Sequence, residues 1–446
     1  VFRIKRSTHP VDQLLPAGQM GALGLQHVLA MYAGAVAVPL IVGGALGMSK
    51  ADIGYLINAD LLVSGVSTLI QCLGFWRFGV RLPLMQGCTF AAVTPMVFIG
   101  TSGGGLTAIY GAVIVSGVLM ILLAPLWGRL LRFFPPLVTG TVITIIGLAL
   151  IPVAVNWAAG GVGAPDFGAP RNLALALGVL LLVLVVQRFA PVFLSRISVL
   201  AGIVAGTLVA IPLGFTDFSG VSDAPVFGVS TPFHFGLPTF DVAAIIAMTV
   251  VMLVTMTETT GDILAVGETT GDILAVGEMT GSPVDGARLA DGLRADGLST
   301  VLGGVFNTFP YTAFGQNAGL VGLTKVYSRF VVAVGGAILV ILGLFPILGE
   351  IVARIPAPVL GGAGIVMFGT VAAIGIRMLA KVAFNDNGNL MVVAVSLGVG
   401  LIPTAVPNIY SDFPNWFRTI MESGISAGAL CAVVLNLLFN HTTRTR

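Results

Sequence analysis

Residues 81–96 read RLPLMQGCTFAAVTPM, and residues 308–324 read TFPYTAFGQNAGLVGLT. Each stretch has a proline, a few residues of mixed polarity with glycine, and then a short apolar run. A helix that crosses a bilayer needs about 20 mostly apolar residues, so neither stretch reads as one uninterrupted span. Interrupting a helix frees backbone N–H and C=O groups, which cost roughly several kcal/mol each in hydrocarbon. Such a break persists where a polar cavity and its ligand satisfy those groups. The other reading is a pair of ordinary loops with re-entrant ends.

Working outward, apolar stretches of spanning length fall near 20–44, 52–75, 82–100, 106–126, 135–157, 172–190 and 197–214. A second set falls near 241–264, 286–305, 309–324, 329–349, 356–378, 388–408 and 423–440. The two interrupted stretches are the third and the tenth, so they hold matching places in two halves of seven. Paired Pro/Gly-interrupted segments at corresponding positions are the best sequence pointer to a transporter's substrate site. Seven is odd, so two such halves are inverted relative to each other.

The basic residues test this map. With the N-terminus in the cytoplasm, only Lys50, Arg171, Arg354 and Arg418 fall outside, and every other lysine and arginine falls inside. That asymmetry is the positive-inside signature, and one miscounted span would mix the two groups. Both termini are therefore expected in the cytoplasm and the protein in the plasma (inner) membrane. The loop 215–240 carries no lysine or arginine and is expected outside.

Composition agrees. Of 446 residues, 56% are hydrophobic and only 9% charged, against about 25% charged in soluble domains. Mean hydropathy is +1.02. Water is not the solvent for most of such a surface, and a net charge of +2 argues against nucleic acid as a partner. Cys72, Cys88 and Cys431 fit no zinc spacing, and the four histidines are too scattered to suggest a metal cluster. No cofactor is expected. The basic start has no apolar core behind it and is not read as a secretory signal.

Four acids sit inside apolar spans: Asp60, Glu258, Asp262 and Asp296. An ionisable group at membrane depth is expensive, and by default it is a functional candidate. Glu258 and Asp262 are four residues apart and share a helix face. Two carboxylates in one poorly solvated site resist being ionised together, which suits proton coupling; at the cytoplasmic end of their span they would simply meet water. Asp60 fits a helix-packing hydrogen bond as well as a transport role. His27, alone in the first span, is more often an interhelical hydrogen-bonder than a ligand.

The run Gln316-Asn317-Ala318-Gly319-Leu320-Val321-Gly322-Leu323-Thr324-Lys325 resembles Q-N-x-G-x-x-x-x-T-[RKG], a signature of the nucleobase–ascorbate transporter family. Gln26-His27, the acidic pair in span eight and Asp296-Gly297-Leu298-Ser299 strengthen the likeness, which covers about residues 18–440. The resemblance implies an all-α integral membrane protein of about 14 transmembrane segments in two inverted repeats, with short β-strands in segments three and ten. It implies a cytoplasmic tail at 1–19 and a core domain of 20–134, 241–328 and segment eleven at 329–355. The gate domain would take 135–214 and 356–440, with an external loop at 215–240 and a second cytoplasmic tail at 441–446. It also implies a proton-coupled nucleobase permease, often a homodimer, whose core moves against its gate like an elevator.

By the same resemblance, Glu258 and Gln316 would bind the base, Gly315 would offer backbone, and Phe90 would line the ring. Asn317 would join the substrate-binding group, and Asp262, Asp296 and His27 would serve proton coupling or essential polar contacts, with Asn317 and His27 mainly holding the site's geometry. A carboxylate accepts two N–H bonds and a glutamine amide gives one donor and one acceptor, which suits the alternating edge of a purine-dione. Uracil carriers of the family tend to have glutamate at the place of Gln316, which tilts the expectation to xanthine or urate. A uracil or other nucleobase permease is the runner-up, and an inorganic-anion carrier of the same architecture is further off.

One feature departs from the family. Residues 258–267 read ETTGDILAVG and residues 268–277 repeat them. Ten residues add about 15 Å of helix and turn it by roughly 280°, so one copy alone can face a site. The apolar run upstream favours Glu258 and Asp262; a helix registered from its cytoplasmic end would present Glu268 and Asp272.

Overall fold

A computed structural model describes residues 9–268, 284–385 and 387–441. Among the described residues a helical segment stands at each of the fourteen expected places. In the first half these are α1 (Ala17–Ala45), α2 (Lys50–Leu73), α3 (Val93–Ile99), α4 (Gly105–Leu123), α5 (Pro136–Ala158), α6 (Pro170–Phe189) and α7 (Ser198–Ala210). In the second they are α8 (Val242–Glu268), α9 (Gly286–Val305), α10 (Gly315–Thr324), α11 (Arg329–Gly343), α12 (Ala357–Leu379), α13 (Asn387–Ala405) and α14 (Gly424–Asn436).

The two interrupted stretches are built as the prolines and glycines suggest. Each opens with a three-residue strand, β1 (Gln86–Cys88) before α3 and β2 (Tyr311–Ala313) before α10. The strands pair antiparallel in the interior, with Gln86 opposite Ala313 and Cys88 opposite Tyr311. The pairing continues past the strand ends: the Thr89 N–H donates to the Pro310 carbonyl and the Phe314 N–H to the Met85 carbonyl, both at 2.9 Å. In this way the freed backbone groups of both breaks satisfy each other, away from lipid.

Among the described residues, eight helical stretches, one of them α3 with α4, are long and apolar enough to cross a membrane on their own. Segment eleven differs from the straight span read from hydropathy, and segment fourteen is preceded by a short helix that hydropathy did not mark. After α11 the chain bends by 82° into a short helix Pro346–Ala353, where a proline at the first turn is tolerated and has no N–H to continue the previous helix. Before α14 a helix Asn415–Met421 lies at 80° to it, and the Ser423 hydroxyl caps the new start by accepting from the Ser426 N–H.

Two groups of helices emerge from the packing. In one, α11 lies on α2 and α1, and α9 lies on α4; in the other, α12 lies on α5 and α6, and α13 on α14. Glycine permits the closest approaches. A Cβ on Gly65 of α2 would stand 2.5 Å from the Gly336 carbonyl of α11, and one on Gly147 of α5 would stand 2.2 Å from the Ala372 nitrogen of α12. Lipid gives helices no hydrophobic reason to associate, so this backbone-to-backbone packing carries the interface. The loop 215–240 is tied to the first group. Phe233 N–H donates to the Val305 carbonyl, Asn307 Nδ2 to the Thr231 carbonyl, and the His234 ring stacks on Tyr55 with centroids 4.0 Å apart.

Candidate functional site

The strand pair places the start of α3 and of α10 at one spot. There a cavity of about 930 Å³ lies between the strands, α8 and the α5–α12 pair. Phe90, Glu258, Asp262, Gly315 and Gln316 all line it. These residues come from three separate stretches of sequence. Gly315 and Gln316 are the first residues of α10, so the first turn of that helix, whose N–H groups lack intrahelical acceptors, belongs to the cavity wall. A Cβ on Gly315 would stand 3.0 Å from the Asp262 Oδ1, tighter than ordinary packing, so a larger residue there would have to displace that carboxylate. The Thr89 side chain meets the Glu258 carboxylate. Phe90 packs edge-on to the buried Phe368 of α12, centroids 5.7 Å apart.

Other expected residues sit behind this wall. Asp296 does not line the cavity; it is fully buried and receives bonds from Gln71 Nε2 at 3.1 Å and from the Thr259 hydroxyl. Thr259 in turn meets the Thr312 hydroxyl at 3.0 Å and accepts from the Ala313 N–H. Asp296 therefore joins α2, α8, α9 and β2. Asn317 and His27 are also buried outside the cavity: Asn317 Nδ2 donates to the His27 carbonyl at 2.8 Å and lies 3.1 Å from its Nδ1. That contact ties α10 to α1.

Sequence reasoning left Asp60 open, and the structure gives it a definite place. It is fully buried, and its Oδ1 accepts from the Tyr311 hydroxyl at 2.7 Å, the Cys88 thiol at 2.8 Å and Thr308 at 3.3 Å. Cys88 is in β1 and Tyr311 in β2, so one carboxylate on α2 holds both strands. Gln71, Thr259, Tyr311 and Thr312 went unnoticed in sequence. The threonine-dense run at 255–260 inside an apolar helix was a usable signal, since membrane helices employ such hydroxyls as interhelical hydrogen-bonders. Trp127 shows it directly, donating from Nε1 to the Thr260 hydroxyl at 2.9 Å.

Among the described residues, the acids that line the cavity come from the first copy of the repeated decamer. Glu268 is the last described residue of α8; its side chain, and Asp272 with it, lie outside the described residues.

Comparison with known proteins completes the description. Residues 18–409 match the family model Xan_ur_permease, described as "Permease family". The chain is 47% identical to the uric acid transporter UacT of Escherichia coli (strain K12), over 98% of this chain and 89% of that one. It is 46% identical to the xanthine permease of Bacillus subtilis (strain 168), over 95% and 94%. Among solved structures, the transmembrane domain of the cyanobacterial bicarbonate transporter BicA aligns over 95% of this chain and 98% of its own, with a TM-score of 0.56 at 16% identity. Murine Slc26a9, an anion transporter in its inward-facing state, aligns over 98% of this chain and 69% of its own, with a TM-score of 0.62 at 12% identity.

Proposed function

We propose that this chain, which belongs to the nucleobase–ascorbate transporter family, carries xanthine or urate across the plasma membrane in symport with protons. Membership makes it a multi-pass membrane transporter of nucleobases and not an enzyme. The finer reading rests on one observation above all: Glu258 and Gln316 share a cavity with the open first turn of α10.

A purine-dione presents N–H donors and carbonyl acceptors in one plane. Glu258 accepts from two ring N–H groups, Gln316 exchanges one bond each way, and the N–H groups at Gly315 and Gln316 receive a carbonyl. Phe90 covers the ring face. Asp262 stands one helical turn from Glu258 in the same cavity, and two such carboxylates resist carrying charge together. A proton taken up with the base relieves that repulsion, which couples the two. Both structural neighbours are named for anion transport, yet an inorganic anion would gain nothing from two carboxylates on the wall; the site's acids favour a base.

In the transport cycle, the core (20–134, 241–355) carries the cavity past the gate (135–214, 356–440) in an elevator-like movement, with both termini cytoplasmic and the protein paired as a homodimer. Competition against labelled xanthine uptake tests the substrate assignment. Xanthine and urate should compete at low concentration, and uracil and adenine weakly. Inhibition led by uracil would move the assignment to a pyrimidine carrier.

A further inference from the structure

The cavity that holds Glu258 also carries charge of the other sign. Arg132, Arg377 and Lys381 line the same cavity, all three exposed. Arg132 lies in the turn Leu131–Phe133 just before α5, Arg377 in the last turn of α12, and Lys381 just beyond that helix. The Arg132 guanidinium is steadied over the Phe133 ring, 4.7 Å from its centroid. Among the described residues the cavity's acids are Glu258 and Asp262 alone, and both belong to α8. The cavity is thus lined both by the two carboxylates of α8 and by cations from the turn before α5 and the end of α12.

Two ordinary causes put cations near helix ends, the positive-inside bias and the helix dipole. Either explains Arg377 or Lys381 singly, and neither explains why cations from two separate stretches converge on the cavity that holds the base-binding residues. We propose that Arg132, Arg377 and Lys381 form an anion-receiving rim at the cytoplasmic mouth, selecting purines that carry a negative charge. The proposal rests on the base-transport reading above. Uric acid loses a ring proton well below neutrality, so urate is an anion even at mildly acidic pH, where xanthine is still neutral, and the carboxylates of α8 repel it. The positive charge of the rim, carried above all by the two guanidinium groups, raises the local concentration of such an anion at the mouth and offsets that repulsion. A neutral base gains nothing from it. The rim therefore gives the cytoplasmic face a preference for charged purines that the external face lacks.

The test uses the full-length protein in vesicles with the cytoplasmic face outward, at mildly acidic pH, where urate is an anion and xanthine is neutral. In the triple variant Arg132→Gln/Arg377→Gln/Lys381→Gln, the KM for urate should rise about tenfold at low salt, while that for xanthine moves less than about twofold. The charge-keeping variant Arg132→Lys/Arg377→Lys should retain most of the urate affinity. In the unsubstituted protein, added salt should weaken urate and leave xanthine alone, a measurement that does not depend on any variant folding. Equal shifts for the two bases, or salt-indifferent urate binding, would overturn the rim. Unsubstituted protein that takes xanthine and refuses urate overturns the rim and leaves base transport standing; protein that takes neither overturns both.

Discussion

Gln316 and Glu258 place different demands on a ligand, and each has its own signature when altered. Replacing Gln316 by glutamate exchanges a donor–acceptor amide for a pure acceptor, leaving one bond to the base unmatched. Xanthine affinity should fall by about 1–3 kcal/mol, the usual cost of an unpaired buried partner, as read from displacement of labelled xanthine. Unchanged affinity would put Gln316 outside the site. Asp60 acts at one remove. Its Oδ1 gathers donors from both strands, so Asp60→Leu should loosen the strand pair and lower both affinity and thermal stability, whereas Asp60→Asn keeps one acceptor oxygen and should preserve much of each. Binding that survives Asp60→Leu intact would show that the strands do not need this carboxylate. At this scale the sequence was partly legible. Acids stand out against an apolar background, so Glu258, Asp262, Asp296 and Asp60 announce themselves. Whether each faces a cavity or a neighbouring helix depends on which face of α2, α8 or α9 is covered, and a helix that is apolar all round does not encode that.

Elements were legible where the backbone itself is marked. Proline and glycine around residues 83–87 and 310–315 signal that a helix stops, and β1 and β2 lie there. The bends after α11 and before α14 were not foreseen, because hydropathy measures length and polarity but not direction. The decamer repeat is the sharpest question about an element. The first copy lines the cavity, and residues 242–256 anchor α8 upstream of it. Deleting residues 268–277 should therefore leave xanthine binding intact or improved, and Glu268→Gln should change it little. Lost binding in the deletion would show that the second copy feeds the site.

At the scale of the whole molecule, inverted halves bring two broken segments together at one cavity, and that much followed from the positions of the breaks and the distribution of lysine and arginine. That Arg132 and Arg377 line the same cavity as the α8 acids did not, since it brings together residues far apart in the chain. Coupling belongs to this scale too. If the paired acids take a proton with the base, xanthine uptake should rise as external pH falls and should ignore a sodium gradient. The most direct test of proton-coupled purine transport through this cavity is accumulation of labelled xanthine and urate in proteoliposomes under an imposed proton gradient, for the unsubstituted protein and Glu258→Gln side by side. Accumulation should follow the gradient, collapse with a protonophore and vanish in Glu258→Gln; accumulation that persists with the protonophore, or that Glu258→Gln leaves unchanged, would contradict it.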